Sequence, residues 1–227
     1  MTNDYGKDEA VVESEAGVTL LGGTTVLRAD VDWALRRAPV LVAADGGAAW
    51  ALAFGMMPRR VIGDMDSLSD RDARRIPQER LVRVAEQDST DFEKCLDRIR
   101  APAVIGLGFL GGRVDHTLAA LSCVARRGAP CLLVGPHDVA FAAPPQIGLD
   151  LPEGCRLSLF PMAPVTGRST GLAWPIDGID LGPTARIGTS NRATGRVTLA
   201  FDGPGMVVLL PTAQRDAAWD ALSSSGR

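Results

Sequence analysis

Two aspartates one residue apart, Asp64 and Asp66 in the run Gly-Asp-Met-Asp-Ser at 63–67, are the densest polar pair in this sequence. In extended backbone, positions i and i+2 point to the same side, so both carboxylates can face one ligand. Hard oxygen donors of this kind suit Mg²⁺, which commonly takes one or two carboxylates together with phosphate oxygens. The competing role is helix capping by Asp66 or Ser67. That role explains one acid and leaves Asp64 without a use.

A second cluster follows at 86–94, Glu-Gln-Asp-Ser-Thr-Asp-Phe-Glu-Lys. Thr90 and Glu93 have capping-box spacing, and Asp91 would fall in a first helical turn, where the helix dipole favours a carboxylate. Structure alone would account for these. Lys94 is different, because the chain is otherwise basic through arginine and its one other lysine is Lys7. A compact ammonium at that position suggests a need that a guanidinium does not meet.

Two glycine-rich turns complete the set. Asp45-Gly46-Gly47 stands at a strand-to-helix junction, where a close-approaching anion is favoured by free N–H groups. Gly106, Gly108 and Gly111 match G-x-G-x-x-G. The insertion Gly-Gly-Arg-Val-Asp-His delays the following helix, and no acid caps the next strand, which argues against a dinucleotide-binding oxidoreductase. The better reading is a backbone that approaches phosphate, with Arg113 as a fork for its oxygens. Asp115 and His116 would then stand at the helix start, Asp115 also fitting a capping role.

These residues need strands to carry them. Apolar runs at 18–23, 40–45, 59–64, 80–85, 103–108 and 130–135 alternate with helical patterns at 30–38, 46–55, 67–76, 89–99 and 117–128. Such alternation predicts an α/β region with a mostly parallel sheet and helices on both faces, and all four clusters fall at carboxyl ends of its strands, where such sheets bind ligands. After a linker at 140–145 the texture changes. Residues 147–211 hold short strand-like runs separated by Gly, Pro and Asp, which predicts an all-β, sandwich-like domain. Residues 1–17 read as a disordered tail and 212–227 as a C-terminal tail with a helical turn or two. The expected division is thus 18–143 for the α/β domain and 147–211 for the β domain.

The 227 residues carry a net charge of −3, with 46% hydrophobic and 22% charged residues. There is no basic footprint for nucleic acid or an anionic membrane. No apolar run is long enough to span a bilayer, and the polar, acidic N-terminus does not look like a signal peptide. The four cysteines are scattered without a CxxC pair, as expected of thiols in a reducing, cytoplasmic setting.

Taken in order, ADGGAAWAL, PRRVIGDMDSL, QDSTDFEKCL and GFLGGRVDHTL closely resemble the signature blocks of the thiamin pyrophosphokinase family. RLSLFPM, GLAWPI and TSNRATG look like parts of that family's β domain, and the resemblance covers residues 18 to 211. It implies transfer of pyrophosphate from ATP to the hydroxyl of thiamine, with Mg²⁺ as cofactor, by a homodimer that binds thiamine in a cleft between subunits. Asp64, Asp66 and Asp91 would coordinate Mg²⁺ and be catalytic. Asp45, Gly46, Gly47, Gln87, Thr90, Lys94, Arg113, Asp115 and His116 would serve ATP, and Ser190 with Asn191 would face thiamine. The Ser-Asn pair is followed here by Arg192-Ala193 and not by an aromatic residue, so a ring-stacking partner has to come from elsewhere, with Trp174 the candidate. Two other readings stay open: a pyrophosphokinase for another hydroxymethyl heterocycle such as a pterin, and a sensing module that binds thiamine and nucleotide without turnover. The three acids argue against the second, since binding alone does not require so many carboxylates near a triphosphate.

Overall fold

The computed structural model describes residues 10–225. The chain is a mixed α/β protein that divides into two compact units, one reaching to Ala120 and one starting at Leu121.

The first unit opens with β1 (Val12–Glu13) and continues through β2 (Val18–Leu21), α1 (Arg28–Leu35), β3 (Val40–Ala44), α2 (Gly47–Ala53) and β4 (Arg60–Gly63). Then follow α3 (Asp70–Ala73), β5 (Leu81–Arg83), α4 (Asp91–Asp97), β6 (Ile99–Arg100), β7 (Val104–Leu107) and α5 (Val114–Arg127), the last running across the boundary. β7, β2, β3, β4 and β5 lie side by side in that order, every pair parallel. β2 and β7 are buried at every position, which is why their sequences are nearly all apolar and do not alternate. The one polar residue in β2, Thr19, satisfies its hydroxyl by donating to Ala38 O at 2.6 Å.

Residues 10–17 are not part of a disordered tail, as the polar composition had suggested. β1 pairs in parallel with β6, Val12 is fully buried, and the N–H groups of Val11 and Val12 both donate to Arg98 O. The remainder of the expected tail, residues 1–9, lies outside the described residues.

The second unit contains β8 (Cys131–Val134), β9 (Asp138–Ala142), β10 (Gln146–Leu149), β11 (Arg156–Pro161), β12 (Gly167–Leu172), β13 (Gly188–Phe201), β14 (Met206–Pro211) and α6 (Arg215–Ser225). Its pairings are antiparallel: β8 with β9, β9 with β14, β14 with β11, and β11 with β13. The 14-residue β13 also pairs with β10 along its second half and with β12 from Ala193 to Phe201. The first half of the linker expected at 140–145 is this unit's own strand. Val139, Ala140 and Phe141 are fully buried, and β9 has a partner on each side. The C-terminal segment likewise forms more than a turn or two: α6 buries Ala218 and Leu222 against this unit's strands. Among the described residues, no helix is long and apolar enough to cross a membrane.

Candidate active site

Asp45 follows β3, Asp64 follows β4, and Asp91 begins α4, so parallel pairing of β3 with β4 sets the first two acids side by side. Carboxylate oxygens of Asp45, Asp64 and Asp91 all come within 4.8 Å of one another. Gly63 makes this possible. A Cβ there would sit 2.8 Å from Asp45 Cβ and 3.3 Å from Asp91 Oδ1.

Asp45 is 1% exposed and adopts a left-handed φ of 38°, a conformation that non-glycine residues hold only when their surroundings impose it. Its Oδ2 accepts from Ser67 N at 3.1 Å, while Oδ1 is buried without a partner among the described residues. Burial, reinforced by the charges of Asp91 and Asp64, pushes its pKa up to about 6 against the hydrogen bond from Ser67. Met65, between the two acids of the Gly-Asp-Met-Asp-Ser turn, is also left-handed, at φ 69°.

Lys94 is the cation facing these acids, its side chain 2% exposed. Nζ lies 3.2 Å from Asp64 Oδ2 and 3.3 Å from Asp91 Oδ1. Burial alone would lower the lysine pKa, but attraction to Asp91 and the hydrogen bonds to both acids outweigh it and hold the ammonium form. The two acids respond differently. Burial raises Asp91 despite Lys94. For Asp64, burial is outweighed by hydrogen bonds from Asp66 N, Lys94 and Gln87, and its carboxyl is held below the usual range. Gln87 Nε2 donates to Asp64 Oδ2 at 3.2 Å.

The other expected residues divide. Asp66 stands exposed at the same turn, where its Oδ1 accepts from Ser67 Oγ at 2.9 Å. Thr90 caps α4 by accepting from Glu93 N at 3.3 Å, the structural half of its expected pair of roles. Gly46 is the N-cap position of α2, and Gly47 lets that helix start against β2, since a Cβ there would lie 2.1 Å from Leu21 O. Arg113, Asp115 and His116 are exposed; Arg113 pairs with Asp115, and His116 N donates to Asp115 Oδ1. Their loop is held through Phe109, whose ring packs at a tilt against Phe92 of α4, centroids 4.5 Å apart, and covers Gly22. Glu86, which the sequence reading passed over, binds the loop before α4 by accepting from Asp88 N and from both the N and Oγ of Ser89. Its signal in the sequence was only an acid two and three residues ahead of Asp88 and Ser89.

In the second unit, Ser190 is left-handed at φ 60° and its N–H donates to Ser158 Oγ. Asn191 is buried, and its side chain clasps the Trp174 backbone: Oδ1 accepts from Trp174 N at 3.2 Å and Nδ2 donates to Trp174 O at 2.6 Å. Trp174 is 56% exposed, with the Arg192 guanidinium 5.2 Å from its ring centre. Trp174, Ile176, Ile187, Ser190 and Asn191 line part of a pocket of about 330 Å³.

Acids after parallel strands, with a buried lysine across from them, form a donor set in an α/β protein that could hold a divalent cation and phosphate. Residues 31–131 match the family model described as thiamin pyrophosphokinase, catalytic domain. The chain is 35% identical over 83 residues to the thiamine pyrophosphokinase of Bacillus subtilis (strain 168); the match covers 34% of this chain and 39% of that protein's length. Its fold is similar to that of thiamin pyrophosphokinase from Candida albicans, with a TM-score of 0.74 at 14% identity over 93% of this chain and 95% of that one. The enzyme from Geobacillus thermodenitrificans gives a TM-score of 0.71 at 22% identity over 86% and 96%.

Proposed function

We propose that the protein is a thiamine diphosphokinase, which moves pyrophosphate from ATP to the primary hydroxyl of thiamine and releases AMP. The observation that carries this reading is the convergence of Asp45, Asp64 and Asp91 opposite Lys94 within the matched residues.

The donor set fits Mg²⁺. Three carboxylates with oxygens this close repel one another, and the partnerless Asp45 Oδ1 has the character of a ligand atom awaiting a cation. Asp45, Asp64 and Asp91 would hold the ion, with Asp66 a fourth acid on the same turn as Asp64. Bound there, Mg²⁺ would neutralise triphosphate charge and orient the phosphates. The chain's own residues do the positioning. Lys94 fixes two carboxylates, Gln87 steadies Asp64, and Gly63 keeps the acids close. Arg113, 72% exposed on the glycine loop, is available to phosphate oxygens once it leaves Asp115.

The pocket beside Trp174 receives thiamine in this reading, with the indole face supplying the stacking surface absent after Asn191. We further infer the family's plan of an α/β nucleotide domain over 18–143, a sandwich-like β domain over 147–211, and a homodimer sharing the thiamine site between its chains. The test is the product nucleotide. Incubation with ATP, Mg²⁺ and thiamine, followed by ion-exchange separation, should give AMP in step with thiamine diphosphate. ADP with thiamine monophosphate would make the protein a simple kinase and overturn the reading.

A further inference from the structure

The opposite end of the parallel strands carries a second cluster, of the other sign. Pro39, Val40 and Leu41 enter β3, Arg59 and Arg60 enter β4, and Arg80 directly precedes β5. With Met57 these residues line a pocket of about 420 Å³. Because the strands run parallel, their starts share one edge of the sheet and the catalytic acids follow their ends. The pocket is therefore separate from the acid cluster by the length of the strands.

Three guanidinium groups line this pocket and none of its lining residues is acidic. Two are held in place through the backbone: Arg80 Nη1 donates to Pro58 O at 2.9 Å, and Arg60 Nη1 donates to Arg59 O at 3.0 Å. Each keeps most of its donors free. The Arg59 guanidinium makes no hydrogen bond or ion pair among the described residues. Some exposed arginines elsewhere do find carboxylates, as Arg28 does Asp32, Arg113 does Asp115 and Arg196 does Asp150. In a protein of net charge −3, three unneutralised like charges around one concavity repel one another at a cost that an anion would remove. Apolar side chains share the lining: Val40, Leu41 and Met57, the last 40% exposed.

We propose that this pocket is a second, non-catalytic binding site for the oligophosphate group of a small organic molecule, with Arg59, Arg60 and Arg80 taking the phosphates and the Val40–Leu41–Met57 surface taking the organic part. Guanidinium forks match phosphate oxygens in pairs, and a pocket of this volume accommodates a ligand of nucleotide size. A single orthophosphate would leave the apolar lining and one of the forks unused.

The probes are inorganic pyrophosphate and ADP, titrated calorimetrically into the full chain in EDTA, so that no metal draws phosphate to the acid cluster. Each should bind saturably at this site, ADP more tightly than pyrophosphate, and both more weakly as salt rises. Arg59→Gln should weaken both by about tenfold without moving the thermal midpoint, and Arg59→Gln/Arg80→Gln should weaken them further. Basal turnover at saturating substrate should be retained in Arg59→Gln. Absence of binding to the wild-type chain, or equal binding to the double variant, would overturn the site. ADP binding no tighter than pyrophosphate would overturn its assignment to an organic phosphate.

Discussion

The ammonium of Lys94 lies 3.2 Å from Asp64 Oδ2, tying α4 to the turn after β4 across 30 positions of sequence. The same nitrogen reaches Asp91 one helical turn back. One buried cation therefore holds two of the three acids in place before any metal arrives. Arginine, with a broader planar head, could not occupy this space between two oxygens in the same way, which accounts for a lysine in a chain that otherwise relies on arginine.

Lys94→Met should accordingly cost stability before it costs chemistry. Removing one partner of a buried ion pair leaves uncompensated charge, typically worth about 3–5 kcal/mol. Thermal unfolding in EDTA should show the full loss, and added Mg²⁺ should restore part of it by replacing the missing positive charge. A midpoint unchanged in EDTA would show that Lys94 does not hold the acids.

Asp45→Asn should behave in the opposite direction. The folded-state pKa of Asp45 is about 6, above the unfolded value near 3.8. The folded chain therefore binds the extra proton between these values, and stability falls as pH rises from about 4 through about 6. Asparagine removes the charge, so without metal the variant should be level with wild type near pH 4 and more stable at pH 7. Turnover should drop by about a hundredfold or more, as for loss of a charge-stabilising group. Denaturant melts at the two pH values, with an activity assay, check both parts.

Gly63→Ala tests whether glycine is required for the convergence. A methyl 2.8 Å from Asp45 Cβ must push β3 and β4 or their acids apart. Overpacking of this kind typically costs about 1–3 kcal/mol. Mg²⁺-dependent activity should fall further than stability, because the oxygens of Asp45 and Asp91 separate. Equal losses in both measurements would reduce Gly63 to a packing role.

Asn191→Ala should release the Trp174 segment. Three hydrogen bonds end on that amide, two from the backbone of Trp174 and Arg192 and one that it gives to Trp174 O. Leaving those part-buried groups without partners costs at most about 1–3 kcal/mol each, the penalty of full burial. The expected kinetic result is a raised KM for thiamine with KM for ATP unchanged, accompanied by a shift in tryptophan emission. A raised KM for ATP alone would contradict the placement of thiamine here.

The central parallel strands β2 and β7 are legible because full burial makes them nearly all apolar, and the acids at the strand ends because carboxylates in such turns are conspicuous. The grouping of the acids was less so. Asp45 was read as shaping a phosphate pocket and not as a metal ligand, since its position beside Asp64 and Asp91 comes from the β3–β4 register and from the missing side chain at Gly63. Neither is a local property of the sequence. Asn191 likewise looked like a residue facing substrate, although its amide is spent on Trp174, 17 positions away. The short β1 was lost in an acidic stretch because two residues carry no periodicity, and what identifies Val12 is its burial and its pairing with Ile99.

That short pairing has a consequence for how the protein ages in a cell. β1 holds Arg98 O and the strand that leaves α4, the helix whose other end presents Asp91 and Lys94. A protease that nicked the chain between Glu15 and Val18 would leave every site residue intact and still free the far end of that helix. On the proposed function, the trimmed chain would keep its candidate site residues but hold Mg²⁺ more weakly. Loss of activity would then appear first at low magnesium, well before the protein unfolded, so peptide-bond cleavage at a distance would be mistaken for a change in the cofactor supply.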